Sequence, residues 1–217
     1  MTSVFIPGRL ASGRLPNKLI LPINQNGDTL WDLACAKLEA LIAPLNRYAL
    51  CSDPELIDIA SKYNIEVIER TPASTKIDEP LIDVFADVNQ MQDLYLMFLN
   101  PCLSKLKIST IDNAIRWFDK SPFEYATSVK EYRNWTFNEA GESITPIDYS
   151  TLSTKSIPKM YQCAHCFHLF DRDQFLNDGL MLKAGHGIFE VSHEETIDVD
   201  TTLDLKVLRA INGSICD

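Results

Sequence analysis

Short apolar runs and helical spacings alternate along the first hundred residues. Val4-Phe5-Ile6 reads as a buried strand that stops at Pro7-Gly8. Beyond the following loop, Leu30, Leu33, Ala34, Leu38 and Leu41 recur at helical intervals, with Asp28 or Thr29 placed to cap the helix. Tyr48–Cys51 has the pattern of a second strand, and Ser52-Asp53-Pro54-Glu55 has the spacing of a capping box that opens a helix through about Tyr63. Glu66–Glu69 predicts a third strand and Leu94–Leu99 a fourth, with a helical segment around Leu81–Met91 between them. Strands separated by helices of this length predict βαβ units and an α/β fold with a mostly parallel sheet. Right-handed crossovers put ligands at the carboxyl ends of such strands, so the loops after Pro7, Cys51, Arg70 and Leu99 form the predicted rim of a site.

The second half is less regular. Ile111, Ala114, Ile115 and Phe118 share one face of a helix over Thr110–Asp119, and residues 123–160 mix aromatic, polar and proline-containing stretches. That composition suits an excursion from the sheet of the kind used as a dimer arm, so a homodimer is expected. Gly187–Val191 reads as a late strand, and an acidic stretch leads into a last helix over about Thr202–Asn212. A length of 217 residues fits one domain, 1–217. The 20 basic and 30 acidic side chains leave a net charge of −10, which repels phosphate backbones and argues against a nucleic-acid or membrane-surface binder. With no apolar run of membrane-spanning length and no secretory leader, the expected location is cytoplasmic. Six cysteines, at 35, 51, 102, 163, 166 and 216, show no disulfide framework and are expected as thiols.

Two segments carry candidate chemistry. The loop from Pro7 to Lys18 directly follows the first strand and holds Gly8, Arg9, Leu10, Ala11, Ser12, Gly13, Arg14 and Lys18. Small residues let backbone N–H groups approach phosphate oxygens, and arginine and lysine supply the opposing charge. It is neither a Walker A loop nor Gly-x-Gly-x-x-Gly, and a basic surface loop is the plainer alternative. Near the other end, Asp198 and Asp200 stand two apart, so an extended backbone turns both carboxylates to one side. Such a pair suits Mg²⁺, which takes oxygen ligands; equally, Asp200 or Thr201 could serve as the cap of the last helix.

Both segments resemble one family. Ile-Pro-Gly-Arg-Leu-Ala-Ser-Gly-Arg-Leu-Pro-Asn-Lys, residues 6–18, is similar to the nucleotide-binding signature of the cytidylyltransferases that activate acidic sugars: CMP-sialic acid, CMP-Kdo and spore-coat polysaccharide enzymes. Arg9, Ser12, Arg14 and Lys18 match. Gly8 replaces the usual Ala, Gly13 stands where sialic acid synthetases carry Lys, and Leu19 where they carry Asn. Ile-Asp-Val-Asp-Thr-Thr-Leu-Asp, residues 197–204, resembles the segment of the sialic acid branch whose first two aspartates are Mg²⁺ ligands. Softer likenesses are Arg70-Thr71-Pro72, where the family contacts nucleotide, and Asn100-Pro101, where it contacts sugar.

The resemblance implies a Rossmann-like three-layer α/β/α nucleotidyltransferase with a protruding dimerisation arm. Its substrates would be CTP and an acidic sugar, sialic acid or a related nonulosonic acid, with pyrophosphate released. Loop 8–18 and Arg70 would bind nucleotide, Asn100 the sugar, and Asp198 and Asp200 the metal, with Arg9, Lys18, Asp198 and Asp200 catalytic. Kdo-type or spore-coat-type specificity is the nearest alternative, and a nucleotide-binding homologue without turnover is another, resting on Gly13 and Leu19.

Cys163-Ala164-His165-Cys166-Phe167-His168 offers half of a tetrahedral zinc site, which His165 or His168 could complete. Its aromatic neighbours favour packing instead. Cys102 reads as core or pocket lining, and Trp117 and Trp135 as packing anchors.

Overall fold

The computed structural model describes residues 2–43, 45–72, 74, 75, 80–151 and 153–212, so Cys216 lies outside the described residues. Seven strands form one sheet: β1 (Thr2–Pro7), β2 (Arg47–Cys51), β3 (Glu66–Glu69), β4 (Tyr95–Leu99), β5 (Tyr125–Tyr132), β6 (Met160–Asp171) and β7 (Gly187–Glu190). Their order is β3-β2-β1-β4-β6-β5-β7. Strands β1 to β4 pair in parallel, as do β5 and β7, while β6 runs antiparallel to both of its neighbours. From β1 the chain proceeds outward to β2 and β3, then returns to place β4 on the other side of β1. That reversal opens a crevice between the carboxyl ends of β1 and β4.

Alternation along the strands builds the three layers. Val4 and Ile6 of β1, Ala49 and Cys51 of β2, and Met97 and Leu99 of β4 face one core. Covering it are α1 (Leu30–Glu39), α2 (Pro54–Ala60), α4 (Ile108–Phe118) and α6 (Thr202–Ile211). Phe5, Tyr48, Leu50 and Leu96 point to the opposite face. There they meet Phe85, Val88 and Met91, and Phe175 of α5 (Arg172–Asp178). The expected α/β/α layering and mostly parallel sheet are both observed. No helix among the described residues is long and apolar enough to cross a membrane.

Several elements depart from the sequence expectation. The segment expected to be helical through Met91 breaks after one turn, α3 (Leu81–Val84), and continues as a 3-10 turn over Ala86–Gln90. The capping box at Ser52–Glu55 does not form: Pro54 occupies the first turn, and the Asp53 carboxylate makes no cap bond. Of the expected excursion 123–160, residues 125–132 are β5 inside the sheet, with Tyr125, Ala126, Thr127, Ser128 and Val129 buried; residues 133–151 and 153–159 lie outside the sheet strands. Strand β6, the longest of the seven, has no counterpart in the sequence reading. Its mixed Cys, His and Gln content hides the alternation by which strands are recognised.

Candidate active site

A cleft of about 540 Å³ opens at the carboxyl ends of β1 and β4, within the size range of small-molecule sites. Its walls include Arg9, Ala11, Ser12, Gly13, Arg14 and Lys18 from the first loop, and Asn100, Pro101 and Cys102 after β4. Arg70 and Asp200 complete the polar lining, and Leu19, Phe85 and Phe98 supply an apolar wall. The two ends of the sequence thus meet in one cleft.

Local bonds set the loop's path. The Gly8 N–H donates to the Leu50 carbonyl at 2.8 Å, extending the β1–β2 ladder one step past the strand. The Leu10 N–H donates to Asp53 Oδ2 at 3.0 Å, which explains why that carboxylate does not cap α2. Asn17, in left-handed backbone at φ 58°, donates its N–H to the Leu10 carbonyl at 3.0 Å and closes the loop. Gly8 and Leu10 support the cleft from behind. A Cβ on Gly8 would stand 2.7 Å from the Trp31 ring and 2.9 Å from Leu56, so glycine here answers to packing rather than to ligand approach. Gly13 has open space around its Cα.

The carboxylate segment is tied down as firmly. Glu195, only 4% exposed, accepts from the Lys107 N–H at 3.0 Å and from Ser192 Oγ at 3.1 Å. The Val199 N–H donates to the Cys102 carbonyl at 3.3 Å, holding Asp198 and Asp200 against the loop after β4. Thr201, not Asp200, caps α6, in a capping box with Asp204. Asp200 is left to accept from Lys18 Nζ at 2.8 Å and to pair with Arg14 at 2.8 Å. Asn100 Nδ2 donates to Asp198 Oδ2 at 3.3 Å, while Asp198 Oδ1 is buried without a hydrogen-bond partner.

These contacts set the charges. Burial and the neighbouring Asp200 push the Asp198 carboxyl above the usual range, against Lys18 and Asn100. Burial by itself would lower Lys18, but Cys102 and Asp200 hold it above the ordinary lysine value. Burial pushes the Cys102 thiol up to about 11, so it is neutral at pH 7, and Lys18 makes its ion pair with Asp200 at 2.8 Å. A buried carboxylate oxygen lacking a donor, beside a second carboxylate, is an environment that a hard divalent cation satisfies. The pair therefore fits Mg²⁺.

Arg70 lines the cleft, but its guanidinium donates to the carbonyls of Ser74 and Val84, the latter at 2.8 Å. Asp87, 3% exposed, accepts from Ser74 Oγ at 2.6 Å and from the Thr71 N–H at 3.1 Å. Arg70 is thus a structural member of the wall as well as a cation in it. Sequence reasoning missed Asp53, Asn17, Glu195, Phe85 and Phe98. A turn-forming Asn late in a loop was a legible signal for Asn17, whereas Asp53 and Glu195 read as ordinary surface acids.

The sheet order, the switch-point cleft and the basic loop after β1 define a Rossmann-like nucleotidyltransferase fold. Among solved structures the chain is similar to cytidylyltransferases. CMP:2-keto-3-deoxy-manno-octonic acid synthetase complexed with CTP superposes with a TM-score of 0.72 at 14% identity, over 98% of each chain. The 4-diphosphocytidyl-2C-methyl-D-erythritol synthase of Anaerococcus prevotii gives 0.67 at 10% identity, over 97% of this chain and 95% of that one. A cytidylyltransferase from Leptospira borgpetersenii gives 0.60 at 14%, over 96% and 85%. No protein-family model and no curated protein matches the sequence.

Proposed function

We propose that the chain is a CTP-dependent cytidylyltransferase that joins CMP to an acidic sugar, sialic acid or a related nonulosonic acid, and releases pyrophosphate. One arrangement carries the reading: a basic glycine-containing loop meets Asp200 in a single cleft, with Lys18 and Arg14 already on that carboxylate and Asp198 held beside the cleft by Asn100. The solved structures of the same fold, one of them complexed with CTP, support the choice of nucleotide.

In this reading the triphosphate lies along residues 8–18, where Arg9, Arg14 and Lys18 offset its charge. Phe85 and Phe98 give the nucleoside an apolar wall. Asn100, between Asp198 and the His165 carbonyl, meets the acceptor sugar. The sugar hydroxyl attacks the α-phosphorus and loses its proton to solvent, and the α–β anhydride bond breaks as pyrophosphate leaves. Mg²⁺ held by Asp198 and Asp200 would supply neutralising charge to the phosphates. The rest of the acceleration comes from positioning and from the fixed cations.

Calorimetry with CTP, UTP, ATP and GTP, with and without Mg²⁺, tests the class before any sugar is chosen. Selective, Mg²⁺-dependent binding of CTP is expected, followed by pyrophosphate release with one of a panel of acidic sugars. A protein that binds none of the four nucleotides would overturn the proposal. Release with Kdo alone would move the acceptor to the Kdo class.

A further inference from the structure

Outside the cleft floor, β6 carries a second cluster of metal-ligating side chains. In a regular strand Cys163 and His168, five residues apart, would stand about 16 Å from each other and on opposite faces. Here Thr127 of β5 pairs with His168 and Val129 with Cys163, so residues 164–167 bulge out opposite Ser128 alone. Ser128 fills the bulge: its hydroxyl accepts from the Cys166 N–H at 2.8 Å and the Phe167 N–H at 3.1 Å. Within it, His165 holds left-handed backbone at φ 51°, an unusual conformation for a non-glycine residue.

The contraction brings one ligand atom each of Cys163, His165 and His168 within 4.8 Å of one another. Cys163 Sγ lies 3.6 Å from His165 Nδ1, and the two imidazole centroids are 5.8 Å apart. Donors around a tetrahedral zinc, at about 2.0–2.3 Å from the ion, are themselves separated by about 3.3–3.6 Å. One pair already has that spacing, and side-chain rotation closes the others. His168 Nδ1 is buried with no hydrogen-bond partner, a group that an ion would satisfy. Thr127 Oγ1, 3.5 Å from Cys163 Sγ, can support a thiolate from outside the ligand set. Cys166 turns into the core instead, so the apparent Cys-x-x-Cys pair is not the ligand set.

We propose that Cys163, His165 and His168 bind one zinc-class divalent ion through a thiolate and two imidazoles. No fourth Cys, His, Asp or Glu joins them among the described residues, which leaves a coordination position for water or an outside ligand. The ion would flank the cleft, since Asn100 bonds the His165 carbonyl and Phe98 stacks on His168 at 5.9 Å.

Cobalt(II) and zinc(II) titrations of the full chain, first freed of metal with a chelator, test this without any nucleotide. One equivalent of Co²⁺ should give a thiolate-to-cobalt charge-transfer absorption that Zn²⁺ displaces. Cys163→Ser should abolish that absorption. His165→Ala should weaken Zn²⁺ binding by more than the roughly 100-fold that loss of an outer-shell partner brings. His165 is exposed, so that variant reports even where a substitution at Cys163 impairs folding. Asp200→Asn should leave the absorption unchanged, separating this ion from the carboxylate pair. Absence of the charge-transfer absorption, or unaltered Zn²⁺ affinity in His165→Ala, would overturn the proposal.

Discussion

A methyl group on residue 8 would press on a ring that has nowhere to go: Trp31 is fully buried, and its Nε1 is fixed to the Leu56 carbonyl at 2.9 Å. Gly8→Ala should therefore cost about 1–3 kcal/mol, as overpacking does, and Trp31→Leu in the same chain should recover part of the loss. Denaturant midpoints of the single and double variants check this; additive losses would contradict the pairing. Asp200 makes the opposite kind of contribution. Its pair with Arg14 is largely exposed and adds little stability, yet it faces the cleft. Lys18, however, is mostly buried and pairs with Asp200 at 2.8 Å, so Asp200→Asn should cost about 1 kcal/mol of stability while the chain still folds, and should abolish Mg²⁺-dependent turnover. A folded variant with full activity would remove Asp200 from the metal assignment.

Elements differ in how openly the sequence announces them. Strands β1 to β4 and helices α1 and α4 follow apolar periods that their own side chains impose, and they were legible to within a few residues. The carboxylate segment could be found, but its use could not: Asp200 and Thr201 both suit a cap, and only the structure gives the cap to Thr201 and the cleft to Asp200. Loop 8–18 was visible from its composition, whereas its brace was not. Asp53 occupies a helix-capping position and instead holds the Leu10 N–H, a long-range choice that no local pattern encodes. Because α2 draws no cap bond from Asp53, Asp53→Ala should spare the helix and loosen the loop. We expect about tenfold weaker CTP binding, or about 1.4 kcal/mol, with unchanged circular dichroism. Unaltered affinity would show that the loop is fixed by Gly8 and Asn17 alone.

Across the whole molecule, buried thiols govern behaviour in alkali. Burial pushes Cys51 and Cys166 up to about 12 and Cys102 up to about 11, and raises Cys35 as well. Above about pH 9 an unfolded thiol loses its proton while these keep theirs, so the native state binds more protons and stability falls as pH rises. Lys37 works the other way. Burial lowers its ammonium to about 8, so its contribution to stability rises between that pH and its unfolded value. With several thiols against one lysine, the melting temperature should fall steeply above pH 9, and Cys51→Ala with Cys166→Ala should flatten the decline. A melting temperature that climbs through pH 10 would refute it. Strand β6 has a different kind of consequence, because it lies mid-sheet yet is encoded late. On the ribosome, β1 to β4 can assemble through their own crossovers, but β4 presents a bare row of N–H and C=O groups until residue 171 has emerged. The hazard for this chain is therefore concentrated in an interval of translation, and cellular yield should depend on how fast codons 100–171 are read and on which chaperones wait there.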